Sequence, residues 1–397
     1  MEFPLSYVRG CFPAIEKGGS VNFDSASSPS SLASVQSVRD NGNGASLHSL
    51  EDTRRSLAYF LNSNDRWADE EIRFAEDSDS LLARLASALA PTFEPGSEII
   101  VTELDDESDL APWMALADRD IRIKVWPVEW PEASLDPLRL DSLLTERTRL
   151  VIVPKASNVV GTIVELLPIA LRVREHPASL LINWTPFLAH GALDVRFLRC
   201  DFLVASTAPL FGSRLGFLWG RKDRMREIGP TVFDERDVEP TEVASLGFAL
   251  QYIEELGLLS QDMQLQPSED YARRRHMRRG MQAIRHYERE LTNLALRSLA
   301  DVEGLSLFGV KSPDRSAQRL PSFLFRHEKM NPAELAKELE EHNVRVGYGS
   351  CGSPRLVEAL GLSKHTGGVR ASLAHYNSDE EIMRFTRALH DIAHRAS

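Results

Sequence analysis

Residues 200–221 read CDFLVASTAPLFGSRLGFLWGR. Phe202-Leu203-Val204-Ala205 is a continuous apolar run, and Gly216-Phe217-Leu218-Trp219 follows it across a segment rich in turn residues. Such runs are strands buried on both faces. Working back along the chain, Leu180-Leu181-Ile182 and Leu150-Val151-Ile152-Val153 repeat the pattern, Ile121–Trp126 alternates, and Ile99–Thr102 is β-branched after Pro95-Gly96. Helix-like segments separate several of them, so the spacing predicts an α/β domain with a mostly parallel sheet. A ligand site belongs at the carboxyl ends of such strands. Working forward, Glu242–Leu256 has helical spacing and stops at Gly257. Glu269–Leu299, rich in Arg and Glu, reads as a solvent-exposed helix joining two lobes. The rest is α+β: strands at Pro321–Arg326, Val344–Gly347 and Gly368–Leu373, a helix at Pro332–His342, and a final helix opened by Ser378 and Glu381 as a capping box. Ser25–Ser49, rich in Ser, Asn and Gly, reads as a surface loop or mobile flap. The expected division is an N-terminal segment with a mobile loop (1–50), a large α/β domain (51–265), and a linking helix with a small C-terminal α+β domain (266–397).

The chain has 397 residues, 43% hydrophobic and 26% charged, with a net charge of −12. That length holds two or three structural units at roughly 100–200 residues each. The negative charge argues against a nucleic-acid partner. No apolar run of about 20 residues is present to span a membrane, and the opening residues lack a secretory pattern. Cys11, Cys200 and Cys351 form no CxxC pair, so the expectation is a cytoplasmic protein with neither a disulfide framework nor a metal site.

Several words are more specific. They are Phe23-Asp24, TELDDESDLAPW (102–113), ASNVVGTIVEL (156–166), LLINWTPFLAHGALDV (180–195), the 200–221 stretch and GGVRASLAHYNSDEEI (367–382). Together they resemble the class V aminotransferase superfamily, in particular its cysteine desulfurase-like branch, over nearly the whole chain. The resemblance implies the pyridoxal phosphate (PLP)-dependent fold type I: a large domain around a seven-stranded mixed sheet and a small α+β C-terminal domain. It also implies a homodimer whose active sites lie at the interface.

At the positions that hold PLP in this family, the chain departs from the pattern. The lysine position is Pro209, which has no amine. The aspartate that partners the pyridine nitrogen is Asn183, and the residue three further on is Pro186. The ring-stacking histidine is Asp106, and the phosphate-binding threonine is Asp79. A carboxylate about 4 Å from one phosphate charge costs about 4 kcal/mol at an effective dielectric near 20. These departures predict that PLP is lost and no cofactor is used.

The remaining site residues then suggest acid–base chemistry on a small organic substrate: isomerisation, dehydration, cyclisation or epimerisation. Asp79, Asp106 and Lys155 are the candidate acid–base groups. Arg370 matches the family's carboxylate clamp and offers a two-pronged grip. Asn158 and Ser206 match cofactor contacts. Asn183 and His190 sit on the same strand-end loop, and Trp184 and Phe187 add aromatic surface there. Cys351 lies near the position of the desulfurase nucleophile. Two other readings stay open: a non-catalytic ligand-binding partner of an active homologue, and an unconventional PLP-dependent desulfurase- or lyase-like enzyme.

Overall fold

A computed structural model describes residues 3–16, 19–42, 48–229, 232–259 and 269–396. Its strands are β1 (Val21–Phe23), β2 (Ile72–Ala75), β3 (Glu98–Thr102), β4 (Arg122–Trp126), β5 (Thr148–Pro154), β6 (Ser179–Asn183), β7 (Phe202–Ser206), β8 (Gly216–Gly220), β9 (Leu305–Leu307), β10 (Ser322–His327), β11 (Val344–Gly349) and β12 (Gly368–Ser372). The seven-stranded sheet has the order β2-β8-β7-β6-β5-β3-β4. β4, β3, β5, β6 and β7 run parallel, and β8 runs antiparallel to both β7 and β2. This is the mixed sheet of PLP-dependent fold type I. The continuous apolar runs of β5, β6 and β7 are buried because helices cover both faces. One core lies on each side of the sheet: Ile100, Val151, Ile182 and Leu203 point to one, and Ile99, Leu150, Leu181 and Val204 to the other.

The second sheet has the order β1-β11-β12-β10-β9. β1 comes from the start of the chain and pairs in parallel with β11, Val21 facing Val344. Its core holds Phe23, Phe323, Phe325, Val369 and Phe385. The closing helix, Asp379–Ala396, carries the expected capping box: Glu381 accepts from the Ser378 backbone N–H at 3.1 Å, and Ser378 accepts from that of Glu381 at 3.4 Å.

Three elements differ from the sequence reading. Part of the Ser25–Ser49 stretch is a helix, Ala33–Asn41, whose Val35 and Val38 are buried; residues 43–47 lie outside the described residues. The helix expected to stop at Gly257 runs from Pro240 to Leu259. Gly257 is needed there for a close crossing: a Cβ would sit 1.9 Å from the His276 carbonyl oxygen, and one on the opposing Gly280 would sit 2.1 Å from that of Ile253. The long helix, Glu269–Ala300, is not solvent-exposed all round. Met277, Met281, Ile284, Leu291 and Ala295 form a buried stripe along it. Among the described residues, no helix is long and apolar enough to cross a membrane, and no group of side chains is arranged to hold a metal ion.

Candidate active site

A cleft opens at the carboxyl ends of β3, β5, β6 and β7, where Asp106, Asn158, His190 and Pro209 line it. Ser322 and Tyr376, which follow or belong to the second sheet's strands, close the other side. The location follows from parallel strands, whose carboxyl ends release loops on one edge.

After β3 the chain turns sharply. Thr102 donates from its backbone N–H (2.8 Å) and hydroxyl (2.7 Å) to Asp105 Oδ2. The turn delivers Asp106 to the start of the helix Glu107–Met114. The Asp106 side chain does not cap that helix. It accepts from the Ser353 hydroxyl on one oxygen and from Asn158 Nδ2, at 2.8 Å, on the other. One turn on, Asp109 accepts from Asn183 Nδ2 at 2.6 Å. Burial, before any other cause, pushes Asp105 up to about 7, raises Asp106, and holds Asp109 well above the usual carboxylate range. Asp79 is raised by burial and by Asp77, and its charge in turn raises Asp106 and Asp109. Asp105, Asp106 and Asp109 thus form a largely desolvated acidic group behind the cleft wall that Asp106 lines, with the exposed Asp79 near enough to act on two of them, and their hydrogen-bond donors are neutral amides and hydroxyls.

Arg370 lies on β12, 2% exposed. Its Nη2 donates to Asp24 at 2.8 Å and to the Ser27 hydroxyl, while its Nε is buried without a partner. The guanidinium predicted to clamp a substrate is thus partly committed inside the protein. Asn158 has the reverse imbalance. Its amide nitrogen donates to Asp106, and its Oδ1 is buried without a partner.

The other predicted residues are dispersed. Lys155 donates to the Val164 carbonyl at 2.7 Å and lies 5.3 Å from the Phe187 ring centroid; burial lowers its amine to about 8. It is not among the residues lining the cleft. Trp184 and Phe187 pack edge to face at 5.3 Å within the core, and their neighbours Thr185, Pro186 and Ala189 face the cleft instead. Ser206 accepts from the Ala208 backbone N–H at 3.3 Å, a turn contact. Cys351 sits at positive φ (51°) in a loop packed on Asp106, and burial raises its thiol. His190 Nδ1 donates to Glu288 Oε2 at 2.8 Å. Sequence reasoning missed Glu288, Asp105, Asp109, Ser353 and Asp24. For Glu288 the available signal was its place on the apolar stripe of its helix, between Ile284 and Leu291.

A family profile described as aminotransferase class-V matches residues 28–385. A cysteine desulfurase of Serratia proteamaculans is 28% identical over 440 residues, covering 99% of both chains. An aminotransferase-like protein, FGM3, of Gibberella zeae is 29% identical over 410 residues, covering 98% of each. Among solved structures, the cysteine desulfurase CsdA of Escherichia coli superimposes with a TM-score of 0.82 at 21% identity, covering 100% of this chain and 99% of its own. A lysine-to-alanine mutant of C-DES, with glycine covalently linked to its PLP cofactor, gives a TM-score of 0.74 at 17% identity over 96% of this chain and 99% of its own. These findings correct two expectations. Relatives matched end to end are desulfurases, and a neighbour of the same fold carries PLP. The expectation of no cofactor, and the cofactor-free isomerase or cyclase built on it, is overturned.

Proposed function

This chain belongs to the aminotransferase class-V family, and we propose that it is an enzyme of the cysteine desulfurase-like branch that takes PLP and an amino-acid substrate together, held by contacts and not by a bond to the chain. The observation that carries this reading is the orphaned Asn158 Oδ1 in the wall of a cleft whose lysine position is Pro209. A buried acceptor without a donor calls for a guest bearing a hydroxyl or N–H, and PLP carries a phenolic oxygen that becomes such a donor when protonated. When bound, PLP supplies an electron sink that weakens the bonds at the substrate's α-carbon.

The chain's own residues then have distinct tasks. Pro209 leaves space and no amine, so retention depends on surrounding contacts. Asn158 orients the guest through Oδ1 while its amide nitrogen holds Asp106 in place. Burial and Asp77 raise Asp79; a carboxyl in its neutral form donates to an anionic guest where a carboxylate repels it. Arg370 contributes positive potential from behind its Asp24 pair. The C-DES mutant supports this reading, because that protein keeps a glycine–PLP pair with a lysine replaced by alanine. A homodimer and a cytoplasmic setting accompany the proposal.

The test is to incubate the purified protein with PLP, with and without L-cysteine, and then treat it with borohydride. Dialysable PLP, no phosphopyridoxyl group on any lysine, and, with a thiol reductant added to take the sulfur, alanine and sulfide formation from cysteine are expected. Borohydride fixation on Lys155 or another lysine overturns attachment by contacts alone. A protein that binds no PLP overturns the whole reading.

A further inference from the structure

A cavity of about 330 Å3 lies apart from the cleft and shares no lining residue with it. Its size is that of a small-molecule site. Phe60, Leu193, Met277 and Met281 form an apolar floor, all of them buried. The first turns of the long helix Glu269–Ala300 bring Tyr271, Arg274, Arg275 and Arg278 to its wall.

That stretch of helix carries five arginines between positions 273 and 279, in a chain whose net charge is −12. Arg273 pairs with Glu254 at 3.0 Å, and Arg274 with Asp65 at 2.5 Å. Arg274 also donates to the Ser63 carbonyl at 2.7 Å and lies 4.7 Å from the Tyr59 ring centroid, so it is a fixed part of the wall. Among the described residues, no acid pairs with Arg275 or Arg278, and Arg279 Nη1 is buried without a partner. The other acid close by, Asp194, is occupied: it accepts from Asn62 Nδ2 at 2.9 Å and from the backbone N–H groups of Arg196 and Phe197. Arg274 and Arg278 stand four residues apart, as do Arg275 and Arg279, a spacing at which like charges repel on a helix. Burial lowers the pKa of His276 among them against the pull of Glu254, and Arg279 and Arg275 lower it further. The cavity thus joins unpaired guanidinium groups to an apolar floor.

We propose that this cavity binds a phosphate monoester with an aromatic body, its phosphate held by Arg275 and Arg278 and its ring laid on the floor formed by Phe60, Met277 and Met281. Two unpaired guanidinium groups match the double charge of such a phosphate, and each can fork onto two of its oxygens. Methionine sulfur and a phenyl edge are good neighbours for a flat ring. Tyr271, 59% exposed, is placed to cover it. The proposal does not depend on the amino-acid–PLP reading of the cleft.

The test titrates the purified chain calorimetrically with phenyl phosphate, inorganic phosphate and phenol. Phenyl phosphate should bind more tightly than either fragment and weaken as salt is raised. The double variant Arg275→Gln, Arg278→Gln should bind it at least about tenfold more weakly, as expected when charged hydrogen bonds are lost. Labelling of wild type with phenylglyoxal, read by peptide mass spectrometry, decides the matter even if that variant does not fold: phenyl phosphate should protect Arg275 and Arg278. No binding of phenyl phosphate, inorganic phosphate binding as tightly, a folded double variant that binds like wild type, or protection that leaves Arg275 and Arg278 open overturns the proposal.

Discussion

Two buried charged regions flank the cleft, and they solve the same problem differently. On the small-sheet side, Arg370 meets Asp24 at 2.8 Å, so opposite charges are buried together. On the large-sheet side, Asp105 is buried and Asp106 and Asp109 are half-buried beside it with neutral donors, and their charges are moderated by raised pKa values. The first region depends on an ion pair; the second depends on protons. Removing a partner should therefore damage the first at any pH, whereas the second should respond to pH itself.

The largest effect is expected from Arg370→Met, which leaves Asp24 buried without its cation. A loss of about 3–5 kcal/mol is expected in denaturant unfolding, partly recovered when Asp24→Asn is added. A loss under about 1 kcal/mol, or no recovery, breaks the contrast. Next comes the acid region. Asp105 rises from 3.8 to about 7 on folding. The folded state thus holds a proton that the unfolded state has released, and stability falls as pH climbs through that window. Asp105→Asn keeps an acceptor for Thr102 without the charge. Thermal unfolding from pH 4 to pH 8 should show a wild-type decline of a few degrees and a shallower one in the variant, given about 1 °C per kcal/mol for a chain of this length. Equal slopes would mean that Asp105 does not carry the effect. Asn158→Ala removes one donor from Asp106 and should cost about 1.5 kcal/mol, while weakening PLP retention measured by dialysis; unchanged retention separates the amide from the guest. Lys155→Met is the smallest. The apolar stem remains over Phe187, so a change within about 1 kcal/mol and unaltered PLP binding are expected; loss of binding would place the amine in the site after all.

Much of the fold was legible because β5, β6 and β7 are buried on both faces and must be apolar throughout. Pro209 was placed from the sequence for a different reason, since it sits in a word with recognisable neighbours, and the structure puts it in the lining of the cleft. The acid region was only half legible. Asp106 stands out by position, but Asp105-Asp106-Glu107-Ser108-Asp109 reads as a solvated run, and only the turn at Thr102 folds Asp105 inward. Gly257 was misread because a helix stop and a helix crossing place the same demand on a side chain. Glu288 was hidden by the many charges of its helix, although its neighbours on the stripe are apolar. Reading altered cofactor contacts as a lost cofactor rested on single positions, and the end-to-end likeness to cysteine desulfurases and to a fold neighbour that carries PLP overturned it.

The pairing of β1 with β11 has a consequence for how the protein is made. All strands of the large sheet come from residues 72–220, so that sheet can close while the ribosome is still at work. Val21–Phe23 emerges early yet finds its neighbour only when Val344–Val346 has been translated, and Asp24 meets Arg370 later still. The small sheet and the ion pair beside the cleft are therefore completed well after the strands of the large sheet have been made. A chain that stops before β12 carries its acid region and lacks the cation that faces Asp24, so the cleft is finished only after β12 has been delivered.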